Sequence, residues 1–215
     1  STGALMTHGF VESAGMRHFK YNPSMNDAKL YEKGYDRVYD TLELEKNLDD
    51  TELIIEKVLD RIGKDEVVSS FKINCMLGEH LSKNSDGRAI LTSAYTNNVP
   101  VYIPAFTDSE MGLDFAIHNR KLKKSSKPLL MFDPFLDLED YAAKILNAKK
   151  LGIFTIGGGV PRNWAQQVGP YLDIIDKRIG SGGGFKRFDY AVRICPEPAH
   201  FGGLSGCTYS EGVSW

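Results

Sequence analysis

Three stretches of this 215-residue chain carry side chains able to do chemistry. The first is Thr107, Asp108, Ser109, Glu110 and Asp114, which follow the apolar run Val99 to Pro104. Acids in such a loop can grip ribose hydroxyls or an ammonium group. The competing reading is helix capping, since Asp108 and Ser109 are good N-caps. The second is Gly157, Gly158 and Gly159, directly after the apolar run Gly152 to Ile156 and just before Pro161. Proline suits the first turn of a helix, and bare backbone N–H groups at a helix start favour a phosphate. A plain strand-to-helix turn fits as well, because neither the Gly-x-Gly-x-x-Gly nor the Walker spacing is present. The third is the glycine-rich tail beyond Asp189 to Ile194, with Glu197, His200, Ser205, Ser210, Glu211 and Trp215. Carboxylates neutralise an organic cation and an indole face attracts it, by roughly 0.5–2 kcal/mol. His8 sits in an early turn, where it can face a substrate or simply pack. No Ser/His/Asp arrangement falls in a recognisable motif. No His/Cys/Asp/Glu spacing suits a metal, so none is expected.

The elements that position these residues follow from periodicity. Ser1 to Gly9 reads as a loop leaving a strand, entering a helix at Phe10 to Met16. His18 to Tyr39 lacks a clean period and reads as an irregular excursion pinned by Tyr21, Tyr31 and Tyr35. Leu44, Leu48, Ile55, Val58, Leu59 and Ile62 recur at helical spacing and predict a helix over Thr41 to Ile62, stopped by Gly63. Its charges, Glu43 among them, are expected on a solvated face. Further helices are expected over Glu66 to Ser82, Ala89 to Asn97, Asp137 to Lys149 and from Pro161 through Asp176. Strands are expected at Val99 to Pro104, Leu129 to Phe132, Gly152 to Ile156 and Asp189 to Ile194. Strands alternating with helices on short connections imply a parallel α/β sheet, whose ligand crevice lies beyond the carboxyl ends of the strands. The Ser181 to Gly184 cluster has no strand before it and reads as a surface loop.

Composition narrows the rest. The formal charge of −2 gives no nucleic-acid footprint. No apolar run approaches the roughly 20 residues that cross a bilayer. Cys75, Cys195 and Cys207 are odd in number and widely spaced, as reduced thiols of a cytoplasmic protein would be. The chain opens at Ser1 like the tip of a strand and stops at Trp215, and is expected to be part of a longer one.

The combination of motifs resembles the deoxyhypusine synthase family. The matching pieces are Ser-Thr-Gly-Ala from Ser1, Pro-Val-Tyr-Ile-Pro-Ala-Phe-Thr-Asp-Ser-Glu-Met-Gly from Pro100, and Gly-Ile-Phe-Thr-Ile-Gly-Gly-Gly-Val-Pro-Arg from Gly152. Asp-Tyr-Ala-Val from Asp189 and Ser-Gly-x-x-x-x-Glu-x-Val-Ser-Trp ending at Trp215 complete them. The resemblance implies one domain over residues 1–215, with a Rossmann-like parallel sheet and helices on both faces, in a homotetramer. It implies an enzyme that uses NAD to oxidise spermidine and moves the aminobutyl group onto an amine acceptor. NAD contacts are implied at Thr2, Gly3, Asp108, Gly158, Pro196 and Glu197. Polyamine contacts are implied at His8, Ser205, Glu211 and Trp215. The family's nucleophilic lysine would lie two residues beyond Trp215, outside this sequence. The family's polyamine-contacting histidine is Asn163 here. Two channel acids fall on Phe201 and Leu204, and Leu113 or Asp114 stands where the loop's second acid would be. These departures resemble the bacterial branch, some of whose members are similar to homospermidine synthases with putrescine as acceptor. A non-catalytic NAD- or polyamine-binding homologue is the alternative.

Overall fold

The computed structural model describes residues 1–180, 186–196 and 198. They pack as two compact units, one spanning Ser1–Phe132 and one beginning at Asp133. Both mix helices with short strands, giving an α/β protein.

In the first unit, α1 (Gly3–Ser13), α3 (Glu45–Leu59), α4 (Ser70–Asn84), α5 (Ile90–Thr96) and α6 (Glu110–Lys124) surround one apolar core. Met6, Phe10, Ile55, Leu59, Ile73 and Leu77 are each at most 2% exposed there. Burial of each such side chain is worth about 1.5–3 kcal/mol before the entropy of ordering is subtracted. The helix expected from Thr41 begins only at Glu45. Thr41–Leu44 is instead β3, the central strand of an antiparallel ribbon with β1 (Phe19–Lys20) and β2 (Tyr35–Val38). Val38 pairs with Thr41 across the two-residue turn Tyr39–Asp40, and Tyr39 adopts a left-handed φ of 57°. The short helix α2 (Asp27–Glu32) precedes β2. The excursion from His18 to Tyr39 is therefore ordered ribbon and helix.

A second correction concerns Val99 to Pro104, which forms no strand. Pro100 and Pro104 lack donors for a ladder. Side chains hold the segment instead: Ser70 Oγ accepts from Ile103 N–H at 2.7 Å, and Asn74 Nδ2 donates to Val101 O at 2.9 Å. Parallel pairing in this unit joins β4 (Val67–Val68) to β5 (Met131–Phe132). The first helix also begins earlier than expected, at Gly3 rather than Phe10.

In the second unit, α7 (Phe135–Asn147), α8 (Val160–Gln166) and α9 (Val168–Ile179) accompany β6 (Gly152–Ile156) and β7 (Tyr190–Ile194). The two strands are parallel, with Gly152 opposite Tyr190 and Ile156 opposite Ile194. Ala142, Ile145, Val168 and Leu172 make a small core. No helix among the described residues is long and apolar enough to cross a membrane.

Candidate functional site

The site in the first unit is built where two helix N-termini meet. Thr2 caps α1 by accepting the Leu5 N–H at 3.2 Å. Ser109 caps α6 by accepting the Gly112 N–H at 3.2 Å, while its hydroxyl donates to Phe106 O at 2.7 Å. Gly3 lies directly against Ser109, so a β-carbon at position 3 would overlap the Ser109 side chain. Gly112 tucks in the same way under Phe106 O and the Thr107 backbone. The loop Thr107–Asp108–Ser109 is thus held from both sides. The capping reading of this loop is realised at Ser109, and Asp108 is left exposed.

A cavity of about 680 Å³ opens there, lined among others by Thr7, His8, Glu43, Thr107, Asp108 and Ser109. The structure therefore brings His8 and Asp108 to one hollow, with Gly3 packed behind it. A neighbouring cavity of about 780 Å³ is lined by Glu12, His18, Tyr39, Arg88 and others. His8 and Glu43 line both cavities.

Glu43 is the residue that sequence reasoning placed wrongly. It is not on a solvated helix face: it rides on β3, with its side chain 2% exposed. Its Oε2 lies 2.8 Å from His8 Nδ1, and its Oε1 lies 3.3 Å from His18 Nε2. His18 Nδ1 is in turn 3.1 Å from Oε1 of the exposed Glu12. The His8 and His18 rings meet edge to face, 5.6 Å between centroids. His8, His18 and Glu43 each bring a nitrogen or oxygen within 4.8 Å of the others. No motif spacing signals this cluster, because its members are 10, 25 and 35 positions apart. No turn signal marked the hairpin either, since Tyr39–Asp40 is none of the glycine-containing dipeptides that flag a two-residue turn.

Asp114 sits half-buried on α6, one residue beyond Leu113, which lines the smaller cavity. Burial pushes its carboxyl up to about 7, and the charges of Glu52 and Glu110 add to the rise. At neutral pH this acid is therefore close to half protonated.

In the second unit, the Gly157 N–H donates to Ile194 O at 2.8 Å. The glycine turn holding Gly158 and the segment reaching Pro196 therefore leave the same end of the β6–β7 ladder. Gly157 and Gly159 take positive φ values of 85° and 79°. Asn163 is exposed on α8, and Pro196 is exposed after β7. Trp164 stacks on Tyr141 at 5.1 Å, and the Tyr141 hydroxyl donates to Ala165 O. Glu197, Ser205, Glu211 and Trp215 lie outside the described residues.

Against known proteins, the family model for deoxyhypusine synthase matches residues 1–215. The chain is 33% identical to "Probable deoxyhypusine synthase 2" of Methanosarcina acetivorans, over all of this chain and 59% of that protein. It is 32% identical to "Probable deoxyhypusine synthase 2" of Archaeoglobus fulgidus, over all of this chain and 66% of that one. A "Deoxyhypusine synthase-like protein" of Caulobacter vibrioides is 28% identical over all of this chain and 58% of its own length. The chain thus spans about three fifths of the length of these curated relatives.

Proposed function

The chain belongs to the deoxyhypusine synthase family, and on that premise we propose that it serves an NAD-dependent transfer of an aminobutyl group from spermidine to an amine acceptor. The observation that carries this reading is the 680 Å³ cavity where Asp108 and His8, from separate elements, face one space. The residues there fit the ribose part of a dinucleotide, since Asp36, Glu43, Glu45, Asp49, Asp108 and Glu110 give the cavity six carboxylates and no Lys or Arg. A Gly at position 3 lets two helix N-termini close on each other, an arrangement that favours negative charge. The exposed Asp108 carboxylate offers acceptors to ribose hydroxyls. Thr2, Gly3, Asp108, Gly158, Pro196 and Glu197 would hold NAD, which supplies a hydride acceptor when bound.

The chain's own residues orient and neutralise the amine. Of the residues expected to bind it, His8 is half-buried in the cavity wall beside the Glu43 carboxylate. Asp114 and Asn163 stand on α6 and α8, while Ser205, Glu211 and Trp215 complete the expected set from the tail. A protonated polyamine is attracted by carboxylates, and Glu12, Asp40 and Glu43 line the larger cavity. We place both units in one Rossmann-like domain of a cytoplasmic homotetramer, as the family resemblance implies.

The test is to incubate the full-length protein with NAD and spermidine, with and without putrescine, and to follow 1,3-diaminopropane. Release is expected. No release with any acceptor would end the transferase reading in favour of a binding protein. Homospermidine formed only with putrescine would identify a small diamine as the acceptor.

A further inference from the structure

Glu43 is a buried carboxylate clamped between two imidazoles, and one detail of the clamp is unexplained by the rest of the fold. Its Oε1 and the facing His18 Nε2 are both buried, 3.3 Å apart, and neither has a hydrogen-bond partner among the described residues. With His18 Nδ1 at 3.1 Å from the Glu12 carboxylate, the His18 proton belongs on Nδ1, because a carboxylate only accepts. Nε2 is then a second acceptor aimed at Oε1. Two buried acceptors facing each other are unfavourable, and one proton between them removes that penalty.

On the other side, the Glu43 Oε2 contact at 2.8 Å draws the His8 proton onto Nδ1. His8 Nε2 then carries the lone pair. His8 is the only member of the trio that retains substantial exposure, 34% of its side chain, and it lines both cavities. The order His8, Glu43, His18, Glu12 runs from the cavity wall through a buried carboxylate to an acid that is 66% exposed. Eight further charged groups line the two cavities that His8 faces. Lys20 on β1, Asp40 in the hairpin turn and Arg88 ahead of α5 face the larger cavity. Asp36, Glu45, Asp49, Asp108 and Glu110 face the smaller one.

We propose that His8, Glu43 and His18 form a proton relay, in which His8 Nε2 takes a proton from the substrate ammonium and the buried clamp carries it toward Glu12. This rests on the transferase reading above, and names how that reaction disposes of its amine proton. In the step, one N–H bond of the ammonium breaks and an N–H bond forms at His8 Nε2. The electron pair stays on the substrate nitrogen, and the positive charge moves to an imidazolium already facing Glu43. His8 gives its Nδ1 proton to Glu43 Oε2, rotation of the carboxyl presents that proton to His18 Nε2, and His18 gives its Nδ1 proton to the Glu12 carboxylate. A neutral amine is the form that can lose hydride or attack an imine, so the relay prepares the reacting nitrogen. His8 is the catalytic residue here; Glu43 and His18 are positioning residues that act through it.

Two measurements on the full-length protein decide this. Imidazole ¹⁵N spectra should show His8 with its proton on Nδ1, and Glu43→Gln should abolish that preference while perturbing His18 as well. In turnover, His8→Asn should lower kcat by roughly 10²–10³-fold, a larger factor than any rise in KM from the lost amine contact, and added imidazole should restore part of kcat. Glu43→Gln should lower kcat by about 10-fold or more and move the acidic limb of its pH profile. A His8 proton on Nε2, or one indifferent to Glu43→Gln, overturns the relay. So does one zinc ion per chain, removable by a chelator, because the gap would then seat a cation. If the wild-type protein releases no diaminopropane, the transferase reading fails, and the ¹⁵N spectra still decide the relay.

Discussion

The two units differ in how completely each encloses its own apolar side chains. In the first, a continuous core runs from Met6 and Phe10 through Ile55, Leu59, Ile73 and Leu77 to Phe106 and Met111. In the second, the core is four residues around Ala142 and Val168, while Phe154, Ile156, Tyr190, Val192 and Ile194 on the parallel ladder are each more than half exposed. Parallel sheets are covered on both faces in folded proteins, and their strands read as apolar runs for that reason. The sequence of β6 is therefore that of a buried strand, although the described residues leave it uncovered. The first unit builds a site from packing already complete. The second supplies the carboxyl end of a two-stranded parallel ladder.

The largest expected effects sharpen this contrast. Leu77→Ala should destabilise the protein by about 2–5 kcal/mol in denaturant unfolding, since Leu77 is fully buried. Phe154→Ala should cost well under half of that, since Phe154 is 62% exposed. A Phe154→Ala cost equal to that of Leu77→Ala in the full-length protein would erase the contrast and show the ladder to be covered.

Next come the glycines, which fail by different physics in the two units. Gly3→Ala should cost about 1–3 kcal/mol, because the added carbon collides with Ser109. A paired Ser109→Gly change should relieve part of that collision. Gly157→Ala should cost about 1–2 kcal/mol through its φ of 85° alone, because a β-carbon there meets nothing within 4 Å. No substitution at a neighbour should relieve it.

Smaller again is the pH effect of Asp114. Its carboxyl is raised to about 7 from an ordinary 3.8, so folding favours the protonated form. The stability it contributes is complete below the ordinary value and is lost as pH climbs through 7. Asp114→Asn should therefore raise the unfolding free energy at pH 8 by roughly 1–2 kcal/mol, solvent screening of a partly exposed group included. At pH 4 the same change should do little. The smallest effect is expected at Lys121, which bridges Glu52 and Glu56 at 2.8 and 3.0 Å on the surface. Lys121→Met should cost about 0.2–1 kcal/mol, and the difference should shrink in high salt.

Much of this was legible in the residues, and the exceptions have causes. β6 falls on Gly152–Ile156 as read, because a short β-branched run between a helix and three glycines leaves one solution. The family was legible in motifs spread along the chain, and the whole-length family match agrees. Val99 to Pro104 misled because its apolar pattern says strand while its two prolines remove ladder donors, and serine and asparagine side chains took over. Glu43 misled because the helical period of Leu48, Ile55 and Leu59 extrapolates backward over it. What buries Glu43 is His8 and His18, and long-range partners leave no trace in local periodicity. The ends of the site at Glu197, Ser205, Glu211 and Trp215 lie outside the described residues, so those assignments stand as proposals.

The ribbon of β1, β2 and β3 does two jobs with one piece of backbone. Phe19, Lys20, Val38, Tyr39 and Thr41 wall the larger cavity, and Glu43 sits two residues past Thr41 on the same strand. Width of the chamber and placement of the buried charge are thus mechanically linked. Any displacement of that flap wide enough to admit a bulkier guest also draws the carboxylate away from His8 on α1, so an oversized molecule would meet a disarmed wall.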